Sequence, residues 1–374
     1  MTKQPNVMRD NIDLLDRMMK DMVSAPAFYR PTNYWQTYEP VTIKYLKDEG
    51  LENFRSYDTC RLASFGAGTY RSEPLRQRYK NLIDYKGFGK SSVLSTIFEI
   101  YTRIFDRLGK RFDLFNIKKF FTYENYYLQE FEEFKNLQYR HSKFLDTISG
   151  LNILDSIKDS GFGHPYDLFQ INGKLYTLAF LRYFDQMAYM KMHIDVSSLK
   201  SIIEIGSGYG GFIEVFVKSF PHITYFNFDI APQLYVAQQY LSAVFPGQVY
   251  TYENFLSNEK IEFGKYRIFC LPTWALETIP QTDFDLFINS ASFQEMEPKV
   301  VKNYYSLIKD KVKYAYLFEL ANGSYKKTSD ISGGCVEPLK LKDYISIFED
   351  FKLINMDDFH RTAFSYVHLI LKRV

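Results

Sequence analysis

The sequence predicts an α/β fold in which a mainly helical N-terminal region precedes a mostly parallel sheet. Three observations lead to this prediction. An apolar run at 201–205 ends in a glycine-rich turn, and a helix follows at once. Strand-like and helix-like segments then alternate to about residue 320, which is typical of parallel strands joined by crossover helices. The last two strand-like runs, 352–358 and 365–373, follow each other closely and predict an antiparallel pair.

The first 160 residues carry the pattern of helices and loops. Apolar residues recur at helical spacing in three segments: 10–23, 93–108 and 125–148. Four residues predict loops between the early elements: Pro26, Pro31, Pro40 and Gly50. A glycine-rich stretch at 64–70 predicts a further loop. We therefore expect a helical region over 1–160, serving as an acceptor platform, a lid or an oligomerisation surface, and a second domain over 161–374.

The second domain is expected to begin with a helix over 177–193. Its parallel strands are predicted at 201–205, 224–229, 267–271, 284–289 and 314–319. In open α/β sheets ligands bind beyond the carboxyl ends of the strands. The residues at those ends are therefore the candidates for a binding site.

The turn after the first strand carries Gly206, Gly208, Gly210 and Gly211 within six residues. Glycines let backbone N–H groups and a helix N-terminus approach a ligand closely. The glycine spacing also fits the dinucleotide pattern G-x-G-x-x-G. Glu204 on the preceding strand would repel a pyrophosphate and suits a ligand that carries positive charge. The loop therefore predicts S-adenosyl-L-methionine (SAM) as the cofactor, with NAD as the alternative.

Asp229 ends the second strand, 23 residues after the first glycine. A carboxylate there accepts both hydroxyls of a ribose, which fits SAM and NAD alike. Trp274 lies in a turn after the third strand, where it would wall the adenine or the acceptor, or simply pack in the core. The full set of predicted cofactor contacts is Glu204, Gly206, Ser207, Gly208, Gly210, Asp229, Ile230, Pro272, Trp274 and Asn289.

Over residues 165–374 the chain resembles the SAM-dependent methyltransferases, and more narrowly the bacterial sugar O-methyltransferase family. Three stretches carry the narrower resemblance: 204–211, 271–276 and 289–296. Residues 33–35 add a short match in the N-terminal region. The resemblance implies a Rossmann-like SAM-methyltransferase fold, whose mostly parallel sheet is closed by a C-terminal antiparallel strand. The dinucleotide fold lacks that reversed strand, so the predicted pair at the chain end also favours SAM.

The resemblance implies methyl transfer to a hydroxyl of a sugar, nucleotide-activated or part of a bacterial surface glycan. Methyltransferases that act on base amines or glutamine amides tend to carry an Asn/Asp-Pro-Pro-aromatic run after the fourth strand. This chain has Asn289-Ser290-Ala291-Ser292 there, which disfavours that class. Two alternatives stay open: a SAM-dependent methyltransferase of a non-sugar small molecule, and a non-catalytic SAM-fold partner subunit.

A hydroxyl is a poor nucleophile while protonated, so a general base is expected. Glu295 is the first candidate because it follows the fourth strand, where acceptors approach in this fold. Its alternative role is a surface carboxylate that favours the N-terminus of the next helix. His164, in a Gly-His-Pro loop, is the second candidate because imidazole titrates near neutral pH. No His, Cys, Asp or Glu set has convincing metal spacing, so no metal is predicted.

Net charge, hydropathy and cysteine spacing limit the expected binding partners and cellular location. A net charge of +2 and the lack of a basic run mixed with aromatics predict no nucleic-acid partner. The sequence has no uncharged apolar stretch of about 18 residues, so we predict no membrane span. Three widely separated cysteines and an N-terminus unlike a signal peptide predict a cytoplasmic protein. The expected partner is a sugar or nucleotide-sugar acceptor, and homo-oligomerisation stays open.

Overall fold

The sheet that follows the glycine-rich turn organises the molecule. The computed structural model describes residues 8–56, 63–66, 123–262, 264–279, 283–323, 335–357 and 366–374. Residues 1–69 and 139–374 form one compact unit, and residues 70–138 form a second. The predicted division at residue 160 stays a prediction. The predicted helix at 93–108 lies outside the described residues.

A short hairpin precedes the main sheet, and eight strands form that sheet in the described part of the chain. The hairpin strands are β1 (Phe169–Ile171) and β2 (Lys174–Tyr176). The sheet strands are β3 (Ser201–Ile205), β4 (Thr224–Asp229), β5 (Val249–Tyr250), β6 (Ile268–Pro272), β7 (Phe284–Ser290), β8 (Val312–Leu320), β9 (Phe351–Asp357) and β10 (Tyr366–Arg373).

The described helices lie before the sheet and in the connections between its strands. They are α1 (Ile12–Ser24), α2 (Asn33–Glu49), α3 (Tyr123–Ile148), α4 (Leu178–His193), α5 (Gly211–Ser219), α6 (Ala231–Val244), α7 (Tyr252–Leu256), α8 (Pro298–Ile308) and α9 (Leu341–Ile347). Short 3₁₀ turns follow β6 at Thr273–Glu277 and β7 at Phe293–Glu295.

The strand order is β5-β6-β4-β3-β7-β8-β10-β9. Strands β3 to β8 pair in parallel, whereas β10 runs antiparallel to both β8 and β9. The predicted fold class is therefore confirmed, including the reversed strand near the chain end. The order changes direction at β3, because β4 lies on one side of it and β7 on the other. This places the glycine loop after β3 at the switch point, where ligands bind in open α/β sheets.

Several local features, strand β5 among them, were missed or wrong at the sequence level. Pro40 was expected to mark a loop, but it lies inside α2. The apolar residues Trp35 and Leu46, on either side of the proline in sequence, are buried against the core. The β1–β2 hairpin was not predicted, although its turn carries Asn172-Gly173, both at positive φ, which is a strong hairpin signal.

Alternating side chains of the central strands build a core on each face of the sheet. Ile202 and Tyr225 belong to the cluster that contains residues of α1, α4, α5 and α6. Their neighbours Ile203 and Phe226 belong to the other cluster, which contains residues of α8 and α9. Successive strand residues point to opposite faces, so a strand covered on both sides reads as a continuous apolar run.

Helix α1 packs beside α6 on the first of these faces. Four α1 residues are buried there: Leu14, Leu15, Met18 and Met22. The backbone N–H of Asn11 donates to Tyr235 Oη at 2.8 Å, and Tyr252 Oη donates to Asp21 at 2.9 Å. The N-terminal helix therefore completes the core of the sheet domain. No helix among the described residues combines the length and apolar character that crossing a membrane needs.

Candidate active site

The loop after β3 adopts a conformation that only glycine takes without strain. Gly206 and Gly208 have φ of +81° and +61°. A Cβ on Gly206 would lie 2.0 Å from Ser292 Oγ, and one on Gly208 would lie 2.3 Å from the Ser64 carbonyl oxygen. The two glycines are therefore required both by backbone conformation and by close packing. The loop brings together the end of β3, the turn after β7 and the segment at residues 63–66.

Asp229 lies where the sequence placed it, at the end of β4 beside the glycine loop. Its carboxylate accepts hydrogen bonds from Gly208 N at 2.9 Å and from Ile230 N at 2.8 Å. The Ser207 backbone N–H also interacts with this carboxylate. A carboxylate offers about four lone-pair directions, so it still has capacity to accept from a ribose hydroxyl. Burial raises the pKa of Asp229 to about 7, with the backbone N–H groups opposing that rise.

Glu204 lies in β3, beneath the loop, and is almost fully buried. Its Oε2 accepts a hydrogen bond from Tyr225 Oη at 2.8 Å. Burial raises the pKa of Glu204 to about 8, and the nearby Asp229 charge adds to the rise. A cationic ligand above the loop would oppose both effects, because it favours the ionised carboxylates.

Some buried polar groups in the loop and in the helix after β4 have no hydrogen-bond partner in the described part of the chain. They include Ser207 Oγ and the side-chain amide of Gln233, which lies in the first turn of α6. Leaving such groups unpaired in the interior costs free energy, so their presence favours a polar ligand or ordered water at this edge. Together with Asp229 they fit SAM, which carries hydroxyls, an amine and a carboxylate. Gln233 was missed, although its place four residues after Asp229 signals the same edge.

Four other predicted cofactor residues flank this edge in different ways. Ile230 and Pro272 are buried directly after β4 and at the end of β6. Trp274 is half-buried, packs against both core clusters, and meets Tyr252 edge-on with ring centroids 6.3 Å apart. Asn289 donates to the Ile205 carbonyl at 2.7 Å and accepts from Phe293 N at 2.7 Å. Both ends of the Asn289 amide thus bind backbone and tie β3 to the turn after β7.

The turn after β7 holds Glu295. Ala291 in this turn has φ of +60°, an unfavourable value for a residue with a Cβ, and such strain clusters at functional sites. Glu295 is half-buried as a residue, and protein atoms surround its carboxyl group. Burial raises the pKa of Glu295 to about 8, while hydrogen bonds from Trp35 and Tyr34 lower it. The charge of Asp229 also raises that pKa, so the two carboxylates influence each other.

A second carboxyl group, Glu319, lies near the end of the neighbouring strand β8. Its Oε2 accepts from Gln294 N at 3.0 Å, and its Oε1 has no partner among the described residues. Burial raises the pKa of Glu319 well above the usual value, and the Glu295 charge adds to the rise. Sequence reasoning did not single out Glu319, although it ends the predicted strand at 314–319 and so lies on the ligand edge.

His164 has a different environment. It is exposed, has φ of +44°, and its Nδ1 lies 2.9 Å from Asn53 Oδ1. The neighbouring Gly163 carbonyl accepts from Arg55 N at 2.9 Å, so this loop is joined to the segment after α2.

A buried ionic cluster lies under the glycine loop and links it to the N-terminal segment. The Arg55 guanidinium binds both carboxylate oxygens of Asp159, at 3.0 Å and 2.9 Å, and both side chains are fully buried. The guanidinium carbon also lies 4.9 Å from the ring centroid of Tyr209 in the loop. The backbone N–H of Tyr209 donates to the Ser64 carbonyl at 2.8 Å. Residues before the sheet therefore hold the loop in place.

The segment that contains the glycine loop is similar to a known protein family. Residues 186–261 match the model of an O-methyltransferase domain. This segment is less than half of the chain and contains β3, β4, the loop and Asp229. The match agrees with the prediction of an O-methyltransferase that uses SAM. The cofactor contacts of individual loop residues stay predictions.

Solved structures of methyltransferases are similar over about half of the chain. Mitomycin 7-O-methyltransferase MmcR has 14% identity and a TM-score of 0.35, covering 52% of this chain and 57% of its own. Magnesium protoporphyrin IX methyltransferase from Synechocystis PCC 6803, solved with bound SAH, has 16% identity and a TM-score of 0.39. The match covers 52% of this chain and 83% of that protein. An O-methyltransferase family 2 protein from Planctomyces limnophilus DSM 3776, solved with apigenin, has 10% identity and a TM-score of 0.32. The match covers 47% of this chain and 50% of that protein.

These identities and TM-scores are too low to indicate a substrate. Two of the three likenesses span less than two thirds of the other protein. A search of curated protein sequences finds no match. Within the described ranges no group of three or more His, Cys, Asp or Glu residues is arranged to hold a metal ion.

Proposed function

We propose that this protein is a SAM-dependent O-methyltransferase whose acceptor is a sugar hydroxyl, and that Glu295 is its general base. The observation that carries the proposal is the position of Glu295. It follows β7 on the edge that holds the glycine loop and Asp229, and its pKa responds to the Asp229 charge. A base with a pKa near the working pH is the most effective, and the value of about 8 meets that condition.

Each part of the edge has a chemical task in this proposal. Asp229 would bind the ribose hydroxyls, and Ser207 and Gln233 would pair with further polar atoms of the cofactor. SAM, when bound, supplies an electrophilic methyl group on a positively charged sulfur. Glu295 would accept the proton of the acceptor hydroxyl at its carboxylate oxygen. Much of the rate would come from holding the reacting atoms in line, a contribution of about 7–11 kcal/mol in favourable intramolecular cases.

Aromatic side chains next to Glu295 support a sugar as the acceptor. Tyr34, Trp35 and Tyr38 form a cluster on α2, with ring centroids 5.0 Å to 6.4 Å apart. Tyr366 stacks on Phe318 with ring centroids 4.7 Å apart, and its hydroxyl lies 3.3 Å from the Gln294 amide nitrogen. Aromatic faces and adjacent hydroxyl and amide groups suit the apolar face and polar rim of a sugar ring.

The second candidate is O-methylation of a non-sugar small molecule. The matching family model favours it, because its description names an O-methyltransferase domain and no sugar. His164 is the weaker candidate base, because it is exposed and paired with Asn53. The proposal keeps a cytoplasmic location, since widely separated cysteines suit a reducing compartment. A non-catalytic partner subunit is disfavoured by the intact Glu204, Asp229 and glycine loop.

Calorimetric titration with SAM and with S-adenosylhomocysteine tests the cofactor. A panel of nucleotide sugars, free sugars and phenols, incubated with methyl-labelled SAM, then tests the acceptor class. Labelled nucleotide sugar or sugar supports the proposal, whereas label on phenols alone supports the second candidate. Failure to bind either cofactor form would overturn both.

The variant Glu295→Gln tests the base. We expect it to bind S-adenosylhomocysteine like the natural protein and to lose roughly 100-fold or more in kcat, as general bases contribute 10²–10⁴. Glu297→Gln is the matched control, because this carboxylate is two residues away and bonds to Asn33 at 2.7 Å. Equal kcat in the two variants would exclude Glu295 as the base.

A further inference from the structure

The start of α2 is bound to the turn after β7 by several hydrogen bonds. Thr32 Oγ1 donates to the Glu295 carbonyl at 2.7 Å, and Asn33 Nδ2 donates to Glu297 Oε1 at 2.7 Å. Trp35 Nε1 donates to Glu295 Oε2 at 3.0 Å. These bonds join segments about 260 residues apart in sequence. They attach α2 to the segment that carries the proposed base.

Trp35 is placed to hold one carboxylate oxygen of Glu295. It is nearly buried, at 8% exposure, and meets the rings of Tyr34 and Tyr38 edge-on. An indole N–H donates one hydrogen bond and accepts none, so it favours the carboxylate over the carboxylic acid. A hydrogen bond from the Tyr34 hydroxyl acts in the same direction.

We propose that Trp35 is a positioning residue, whose indole N–H orients and stabilises the Glu295 carboxylate so that α2 forms one wall of the acceptor site. The inference rests on the proposed role of Glu295. It extends the site beyond the segment that matches the O-methyltransferase domain, to a helix from the start of the chain. Removing the N–H then weakens catalysis without affecting the cofactor loop.

Other titratable groups surround this carboxyl group and have to be separated from it in any test. They come from β4, β8, β10, α2, α9 and the segment before α9. These groups are Asp229, Glu319, Tyr366, Tyr34, Tyr344 and Cys335. A pH transition is therefore assigned to Glu295 only by a variant of Glu295 itself.

Fluorescence tests the contact without SAM or an acceptor. The chain has two tryptophans, so Trp274→Phe leaves Trp35 as the only one. We expect the emission of Trp35 to change with a midpoint near pH 8, as the carboxyl group beside the indole titrates. Adding Glu295→Gln should abolish this transition, and adding Glu319→Gln should keep it. A flat emission between pH 6 and 9.5, or a transition that survives Glu295→Gln, would overturn the inference.

Kinetics test the positioning role. Trp35→Phe keeps an aromatic ring and removes the N–H, so the acidic limb of the kcat profile should move up by about one pH unit. kcat at neutral pH should fall about tenfold, because a unit shift in pKa changes the ionised fraction by that factor. KM for SAM should be unchanged. Gln36→Ala is the control on the same helix, since its exposed amide donates to the Pro31 carbonyl.

Failure of the proposed function can be distinguished from failure of the proposed Trp35 role. No methyl transfer by the natural protein to any acceptor overturns the proposed function and, with it, the catalytic role of the Trp35 bond. An active natural protein whose Trp35→Phe variant keeps both kcat and the pH profile overturns only the positioning role.

Discussion

Gly208 shows how closely single residues determine the cofactor loop. Its φ is +61°, and a Cβ would lie 2.3 Å from the backbone oxygen of Ser64, which cannot move like a side-chain end. Gly247 has a similar φ of +72° but no atom within 4 Å of the same position. Comparing substitutions at Gly208 and Gly247 therefore separates the cost of backbone strain, which both share, from the cost of a steric clash, which only Gly208 has.

We predict that Gly247→Ala lowers the free energy of unfolding by about 1–2 kcal/mol, the strain of a left-handed residue. Gly208→Ala should lower it by roughly 2–5 kcal/mol, because overpacking adds to the strain. Gly208→Ala should also weaken S-adenosylhomocysteine binding, and Gly247→Ala should leave it intact. Urea unfolding and calorimetry measure the two effects. Equal losses of stability and affinity in both variants would contradict the packing seen at Ser64.

Glu204 provides a pH-dependent test at the same scale. Its pKa is about 8 in the folded protein, against an ordinary value of 4.5. A raised pKa means that the folded state holds the proton more tightly than the unfolded chain does. The stability that this group contributes is therefore complete below about pH 4.5 and is lost as pH rises to 8. Gln resembles the protonated acid at every pH.

We therefore predict that Glu204→Gln gains stability relative to the natural protein as pH increases. Without SAM, the difference in free energy of unfolding should be small at pH 5 and largest at pH 8.5. It can approach roughly 1.4 kcal/mol for each unit of pKa shift. Urea unfolding of both proteins at pH 5, 6.5 and 8.5 measures it. A difference that is constant with pH would show that Glu204 titrates normally.

At the scale of elements, helix α4 begins on the buried ionic cluster. Thr177 Oγ1 accepts from Phe180 N at 3.1 Å as the N-cap, accepts from Arg55 at 3.0 Å, and donates to Asp159 at 2.7 Å. Asn11 caps α1 by one bond of the same kind, from Leu14 N at 3.1 Å. The two caps differ chiefly in the charged pair that Thr177 also satisfies.

We predict that Asn11→Ala costs about 1 kcal/mol, the usual loss for an N-cap. Thr177→Ala should cost roughly 3 kcal/mol, because it also removes hydrogen bonds from a buried charged pair. Thr177→Ser keeps the hydroxyl and should restore most of the difference. Chemical denaturation of the three variants provides the comparison. Similar costs for the two alanine variants would mean that Arg55 and Asp159 do not depend on Thr177.

At the scale of the whole molecule, the N-terminal residues and the sheet share one core. Leu15, Met18 and Met22 of α1 are buried in the cluster that includes Leu234 and Tyr235 of α6. Burying a Leu or Met side chain fully is worth about 1.5–3 kcal/mol. Arg55 and Asp159, both before residue 161, also form the ionic cluster beneath the loop. A fragment that starts at residue 161 would lose all of these contacts.

We predict that residues 161–374 expressed alone do not unfold cooperatively and that they bind a dye for exposed apolar surface. The full chain should unfold cooperatively and gain stability from S-adenosylhomocysteine, by about 2.7 kcal/mol at 100 times Kd. Circular dichroism during thermal unfolding compares the two proteins. A fragment with the same cooperative midpoint as the full chain would instead support an independent domain over 161–374.

Most of the sheet domain was predictable because its signals are local. Strands β3 and β4 were predicted with their bounds, since uninterrupted apolar runs between turn residues indicate strands buried on both faces. Asp229 and the glycine loop follow from the same runs. The hairpin of β1 and β2 was missed because each strand has only three residues, too few to show a period.

The sequence by itself determined most of the order of strands and helices, the glycine loop and the acids at the strand ends, because these depend on neighbouring residues. Only the tertiary structure decided which residues distant in sequence contact this edge of the sheet. Trp35 reaches Glu295 across 260 positions, and Ser64 reaches Tyr209 across 145. Such contacts depend on packing between elements, which no local pattern encodes. That is why Glu295 was predictable as an acid after β7, while its partner on α2 was not.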